Sequence, residues 1–180
     1  MPIRLPRPVF DANAASGGLG NLPEWDLSDL YADPDAPEVG RDMDWLEGAC
    51  SDFAAAYEGK LATLDAAAML DCIKAYEKIE AVAGRIMSFA GLRYYQNTVD
   101  PARAKFMSDC QDKVTAFTTP LVFFSLEFNR IDDDAYEAVF TASPEIARYK
   151  PVFDRMRAMK PHQLSDELEK FLHDQSTVGA

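Results

Sequence analysis

The chain has 180 residues, 48% hydrophobic and 27% charged, with a formal charge of −12, which describes an ordinary globular chain long enough for one domain with a real core. The acidic balance excludes sequence-independent nucleic-acid binding, which needs clustered Lys and Arg for phosphate neutralisation, and excludes attachment to anionic membranes. No segment reaches the roughly 20 apolar residues of a membrane span, and the N-terminus has no signal-peptide core, so the expected compartment is cytoplasmic.

Residues 1–21 mix Pro2, Pro6 and Pro8 with Ser16, Gly17, Gly18 and Gly20, a composition that predicts an extended, flexible leader. A phosphate loop is excluded, because no lysine and hydroxyl follow the glycines as that loop requires. Residues 22–31, Leu-Pro-Glu-Trp-Asp-Leu-Ser-Asp-Leu-Tyr, concentrate Trp25, Leu27, Leu30 and Tyr31 in a stretch too short for a core helix. They are expected to form a strap across a larger body, anchored by the aromatics.

Asp35 to Lys60 reads as the first long helix. Asp35 and Glu38 have capping-box spacing, Trp45, Leu46, Ala49, Phe53 and Tyr57 form its apolar face, and Gly59 suits a left-handed cap.

Ala66 to Tyr95 is the longest stretch of helical periodicity and organises the rest. Met69, Ile73, Tyr76, Ile79, Ala83, Ile86 and Ala90 recur every three or four residues, one face of a helix; Thr63 or Asp65 opens it. Gly84 and Gly91 each cost about 1 kcal/mol relative to alanine, which predicts a tight crossing or a break near Gly84.

Asp100-Pro101 starts the next helix, carrying Phe106, Cys110, Val114 and Phe117, and Pro120 should interrupt it. Leu121 to Phe128 is apolar on nearly every side, implying burial all round. Asp132-Asp133-Asp134 lacks the spacing and glycine of a calcium loop and reads as a capped helix start. Ser143-Pro144 repeats that start, Pro151 is expected to interrupt the helix beyond it, and Ser165 to cap a last helix with Leu168, Phe171 and Leu172 facing inward. The basic residues between Arg148 and Lys160 read as a solvated face. The expectation is an all-α fold, an antiparallel bundle of about six to eight helices.

Catalytic patterns do not emerge. His162 and His173 form neither HExxH nor ExxH, no GxSxG groups a nucleophile, and Cys50, Cys72 and Cys110 read as buried thiols rather than a disulfide framework or zinc site. No catalytic, cofactor-binding or metal-binding residue is therefore assigned.

Four landmarks in order give the chain a family likeness: residues 22–31; Leu92-Arg93-Tyr94-Tyr95 with Asp100-Pro101; the run from Pro120 to Glu127; and Ala147-Arg148-Tyr149 leading to Lys160-Pro161-His162-Gln163-Leu164-Ser165. The chain resembles the N-terminal region of the oligoendopeptidase F family of zinc metallopeptidases, relatives of thimet oligopeptidase. That resemblance implies an all-helical lobe, here residues 22–180, walling a channel that admits short oligopeptides. In the family the HExxH helix and third zinc ligand lie in a downstream catalytic domain, so no catalytic residue carries over and zinc is expected there, with no cofactor in this chain. The chain is thus expected to be a piece of a longer protein, inactive alone, its partners the missing catalytic domain and, through the parent, oligopeptides. The surface meant for that domain would be free to self-associate. The alternative expectation is a stand-alone helical domain that binds a protein or peptide without catalysis.

Overall fold

The longest helix forms where periodicity is longest. A computed structural model describes residues 25–178, and the leader, together with Leu22, Pro23 and Glu24, lies outside the described residues. Ala66–Gln96 is a single helix, α2, about 46 Å long at 1.5 Å per residue. Asp65 opens it by accepting the Ala68 N–H at 2.8 Å. Met69, Ile73, Ile79, Ala83, Ile86 and Ala90 are buried along one face and Tyr76 is half-buried, as the spacing predicts.

Two long helices flank it: α1 (Pro37–Tyr57) and α3 (Pro101–Thr118). The links at either end of α2 are short, so each helix reverses on the last, and all three pack on one another. Five shorter helices come after them: α4 (Val122–Arg130), α5 (Asp133–Thr141), α6 (Pro144–Ala147), α7 (Lys150–Arg157) and α8 (Asp166–Gln175). Single 3-10 turns lie at Leu61–Thr63, Thr119–Leu121 and Lys160–His162. The described residues form an all-α bundle of eight helical segments with no strand, as expected. No helix among them is long and apolar enough to cross a membrane.

The core is aromatic where short helices meet long ones. Tyr76 of α2 stacks on Phe124 of α4, centroids 4.2 Å apart, and Phe128 stacks on Phe153 of α7 at 4.3 Å. No residue from Leu121 to Asn129 is exposed, whereas Pro120 before them and Arg130 after them are, which matches the all-round burial read from the sequence.

Several helix starts obey their signals. Asp100 accepts from the N–H groups of Ala102 and Arg103 with Pro101 at the first helical position, Asp132 accepts from Asp134, and Ser143 accepts from Ile146. Pro120 ends α3 and starts the turn into α4. Gly59 has φ +78°, the left-handed conformation that glycine adopts without steric cost, and its N–H donates to Glu127 of α4 at 2.6 Å.

Other starts differ. Pro37 takes the first position of α1, so Ala36 is its cap residue, without a side-chain bond. The expected Asp35–Glu38 box does not form: Asp35 N–H is held by Asp33 and Glu38 pairs with Arg41. Pro151 lies in the first turn of α7 and so helps begin that helix, where its missing donor costs nothing. Ser165 occupies the cap position of α8 but makes no cap bond; Glu169 instead reaches back to the Leu164 N–H at 2.8 Å.

The strap is anchored by Tyr31 rather than Trp25. Tyr31 is buried, meets Phe89 edge-on at 5.2 Å and bonds Asp42, with Arg85 over its ring. Trp25 is exposed, and among the described residues the bond that holds it is the one its carbonyl accepts from Gln96.

The break expected near Gly84 is absent. The helix runs through, Gly84 is exposed, and a Cβ there would meet nothing within 4 Å. Since glycine's extra backbone freedom is lost without any close approach in return, Gly84→Ala should stabilise the protein by about 1 kcal/mol, read as a raised urea midpoint.

Cys50, Cys72 and Cys110 are buried and unpaired, as the sequence suggests. Burial pushes their thiols up to about 11, about 12 and about 11 respectively, and thiols so protonated are poor nucleophiles at neutral pH. Native protein should leave Ellman's reagent uncoloured for hours and yield three thiols once denatured.

Candidate functional site

The sequence assigned no site residue, and the two histidines take unrelated places. His162 is exposed in the turn before α8. His173, on α8, faces α3: its Nε2 lies 3.2 Å from Thr118 Oγ1 and 3.4 Å from the Thr115 carbonyl. A carbonyl only accepts, so Nε2 carries the proton. Among the described residues no three His, Cys, Asp or Glu side chains come together to hold a metal ion.

Concavity appears where α8 lies across the junction of α2, α3 and α4, leaving a groove of about 570 Å³, within the usual range for ligand sites. Its walls are apolar: Ala83 and Met87 from α2, Val114 from α3, Leu121 and Val122 at the α3–α4 corner, and from α8 the half-exposed Leu172. Gly84 forms part of the floor, open above its Cα. Polar groups converge from three helices: Tyr76 and Glu80 on α2, Ser125 on α4, Glu169 and His173 on α8. Burial, with the Glu80 carboxylate beside it, holds the Tyr76 hydroxyl far above its usual pKa, so it remains a neutral donor. Ser125 and Thr118 spend their hydroxyl protons on carbonyls of their own helices.

Sequence reasoning missed this groove because its residues come from four separated segments and match no motif. Its only local trace is Gly84, a glycine mid-helix, which the sequence read as a crossing.

Helix α8 shows the largest departure from expectation. Leu168, Phe171 and Leu172, expected inward, are 51%, 57% and 51% exposed, with Met159 and Leu164 also exposed nearby. The polar flank of α8 meets the body instead: Asp166 pairs with Arg130, Asp174 accepts from Thr119 at 2.7 Å, and His173 meets Thr118. An amphipathic helix buries whichever flank finds partners, and the corner at Thr118–Thr119 and Arg130 offers hydrogen bonds.

The expected solvated face between Arg148 and Lys160 holds for Arg148 but not for Arg157. The Arg157 side chain is 10% exposed and donates to the carbonyls of Phe128 at 3.0 Å and Ile131 at 2.9 Å.

Residues 127–180, from the middle of α4 to the end of the chain, match the family model for the N-terminal domain of M3 peptidases, described as oligopeptidase F. Over this stretch, under a third of the chain, the sequence is similar to the oligopeptidase F N-terminal family. Of the landmarks behind the resemblance, Ala147–Tyr149 and Lys160–Ser165 fall inside the matched oligopeptidase F segment, and the others lie ahead of it apart from Glu127. No curated protein and no solved structure matches the chain. The exposed face of α8, the clamp at Arg157 and the α8 side of the groove all belong to the oligopeptidase F segment.

Proposed function

We propose that this chain serves as the non-catalytic N-terminal helical lobe of an oligopeptidase F-like zinc metallopeptidase, walling one side of a channel through which the parent takes short oligopeptides. The apolar face of α8 carries the reading. Leu168, Phe171 and Leu172 lie side by side, at helical spacing, inside the family segment and at least half exposed. A contiguous apolar patch of this kind marks a surface that meets another body, and the catalytic domain of the parent is the body the family supplies. Zinc and the groups that activate water would belong to that domain.

Labelling tests the reading directly, since the three native thiols are buried. In the 180-residue chain, Leu168→Cys should react with a maleimide at the rate of a free thiol. In the full product of its gene the same cysteine should react at least tenfold more slowly, with zinc-dependent peptide cleavage seen only in that longer protein. Equal labelling rates, zinc-dependent cleavage by the 180-residue chain, or a reading frame that never reaches an HExxH would each defeat the proposal.

A further inference from the structure

The groove between α2 and α8 has a charge pattern that selects its occupant. Two carboxylates line it, Glu80 and Glu169, and no Lys or Arg does. Neither is paired with a Lys or Arg side chain among the described residues. One oxygen of Glu169 is committed to the Leu164 N–H, leaving the second free to accept. His173 directs its Nε2 at Thr115 and Thr118. Met87, Val114, Leu121 and Val122 give the same groove apolar walls.

An apolar trough with acceptors at its rim suits a long aliphatic stem ending in a cation. Arginine and lysine side chains have that form: their methylenes cover apolar surface while the head stays at the polar edge, and a charged donor strengthens its hydrogen bonds to a carboxylate. A neutral apolar side chain would fill the trough but leave both acids facing it, and an acidic one would be repelled. We propose that this groove is a docking site for the basic side chain of an extended polypeptide, its stem between α2 and the α3–α4 corner and its head between Glu80 and Glu169. The site is built from this chain alone and stands whether or not the lobe walls a peptidase channel.

The probes are acetyl-Ala-Arg-Ala-amide, its lysine counterpart, and the citrulline peptide, which keeps the shape of arginine without the charge. Titrated into the isotope-labelled 180-residue chain, the arginine and lysine peptides should shift the amide signals of Gly84, Ser125 and His173 together, and citrulline should bind at least tenfold more weakly. Glu80→Gln with Glu169→Gln should weaken arginine-peptide binding at least tenfold; glutamine keeps an acceptor for the Leu164 N–H, so α8 should stay folded, as circular dichroism would verify. Glu47→Gln with Asp52→Asn, an equal loss of charge on the exposed side of α1, should change nothing. Gly84→Leu places a side chain over the floor and should block binding at unchanged charge. Arginine and citrulline binding alike, loss of affinity in the α1 control equal to that in the groove variant, retained binding in Gly84→Leu, or no shifts at millimolar peptide would overturn the proposal. Because none of these readouts involves cleavage or the catalytic domain, its failure is separable from that of the lobe reading.

Discussion

Phe128→Ala is expected to cost about 3–5 kcal/mol, a large share of the roughly 5–15 kcal/mol by which a domain of this size is stable. The ring is fully buried at the joint between α4 and the family segment's later helices. It stacks on Phe153, meets Tyr136 and Phe140 edge-on at 5.9 and 6.0 Å, and lies 5.9 Å from Phe124. Four rings from four positions surround it, so the hole left by truncation cannot close by one side chain swinging in. Phe171→Ala, on the exposed face of α8, is the matching control and should change stability by no more than about 0.5 kcal/mol. Urea unfolding of both variants measures the contrast; comparable losses would mean that α8 buries its apolar face after all.

The parts of the fold legible in the sequence are those decided within a few residues. The periodic face of α2, the caps at Asp65, Asp100 and Asp132, the interruption at Pro120 and the positive φ at Gly59 depend on local geometry, and each is in place. Where two local signals compete, the stiffer one prevails. Pro37, with its fixed φ, sets the start of α1 and leaves the Asp35–Glu38 box unused. Pro151 similarly begins a helix because a first-turn position was available to it.

The features that stayed hidden depend on what a face meets. The amphipathic pattern of α8 says that Leu168, Phe171 and Leu172 share a side; it does not say whether that side finds a partner within the chain. Here the opposite flank is tied down by Arg130, Thr118 and Thr119, all distant in sequence. The groove is hidden for the same reason, since Glu80 and Glu169 come to line one cavity only through the packing of α8 on the body. A family likeness could point to the lobe, but neither periodicity nor motif could point to that pair.

Arg157→Ala is expected to cost about 2–4 kcal/mol, more than a surface arginine's usual share, because this side chain closes the end of α4. The last carbonyls of a helix have no partner within it and carry its negative pole. Arg157 spans that end, one guanidinium nitrogen on the Phe128 carbonyl and another on Ile131, while its plane lies 4.5 Å from the Tyr136 ring centroid and its edge pairs with Asp133. Hydrogen bonds to a charged donor contribute about 1.5–3 kcal/mol each, and removing the donor takes the side-chain partner from the Ile131 carbonyl and leaves the Phe128 carbonyl with the Ile131 N–H alone. The pieces should not contribute equally. Asp133 is 86% exposed, so Asp133→Asn should cost no more than about 0.5 kcal/mol. Arg157→Lys should recover less than half of the alanine loss, since a single ammonium cannot reach two carbonyls with the geometry of a planar fork. Urea midpoints ranked wild type, Asp133→Asn, Arg157→Lys, Arg157→Ala would match a clamp on the helix end. Lysine restoring full stability would mean that charge alone holds this corner, and a loss in Asp133→Asn as large as in Arg157→Ala would shift the anchor from the backbone to the ion pair.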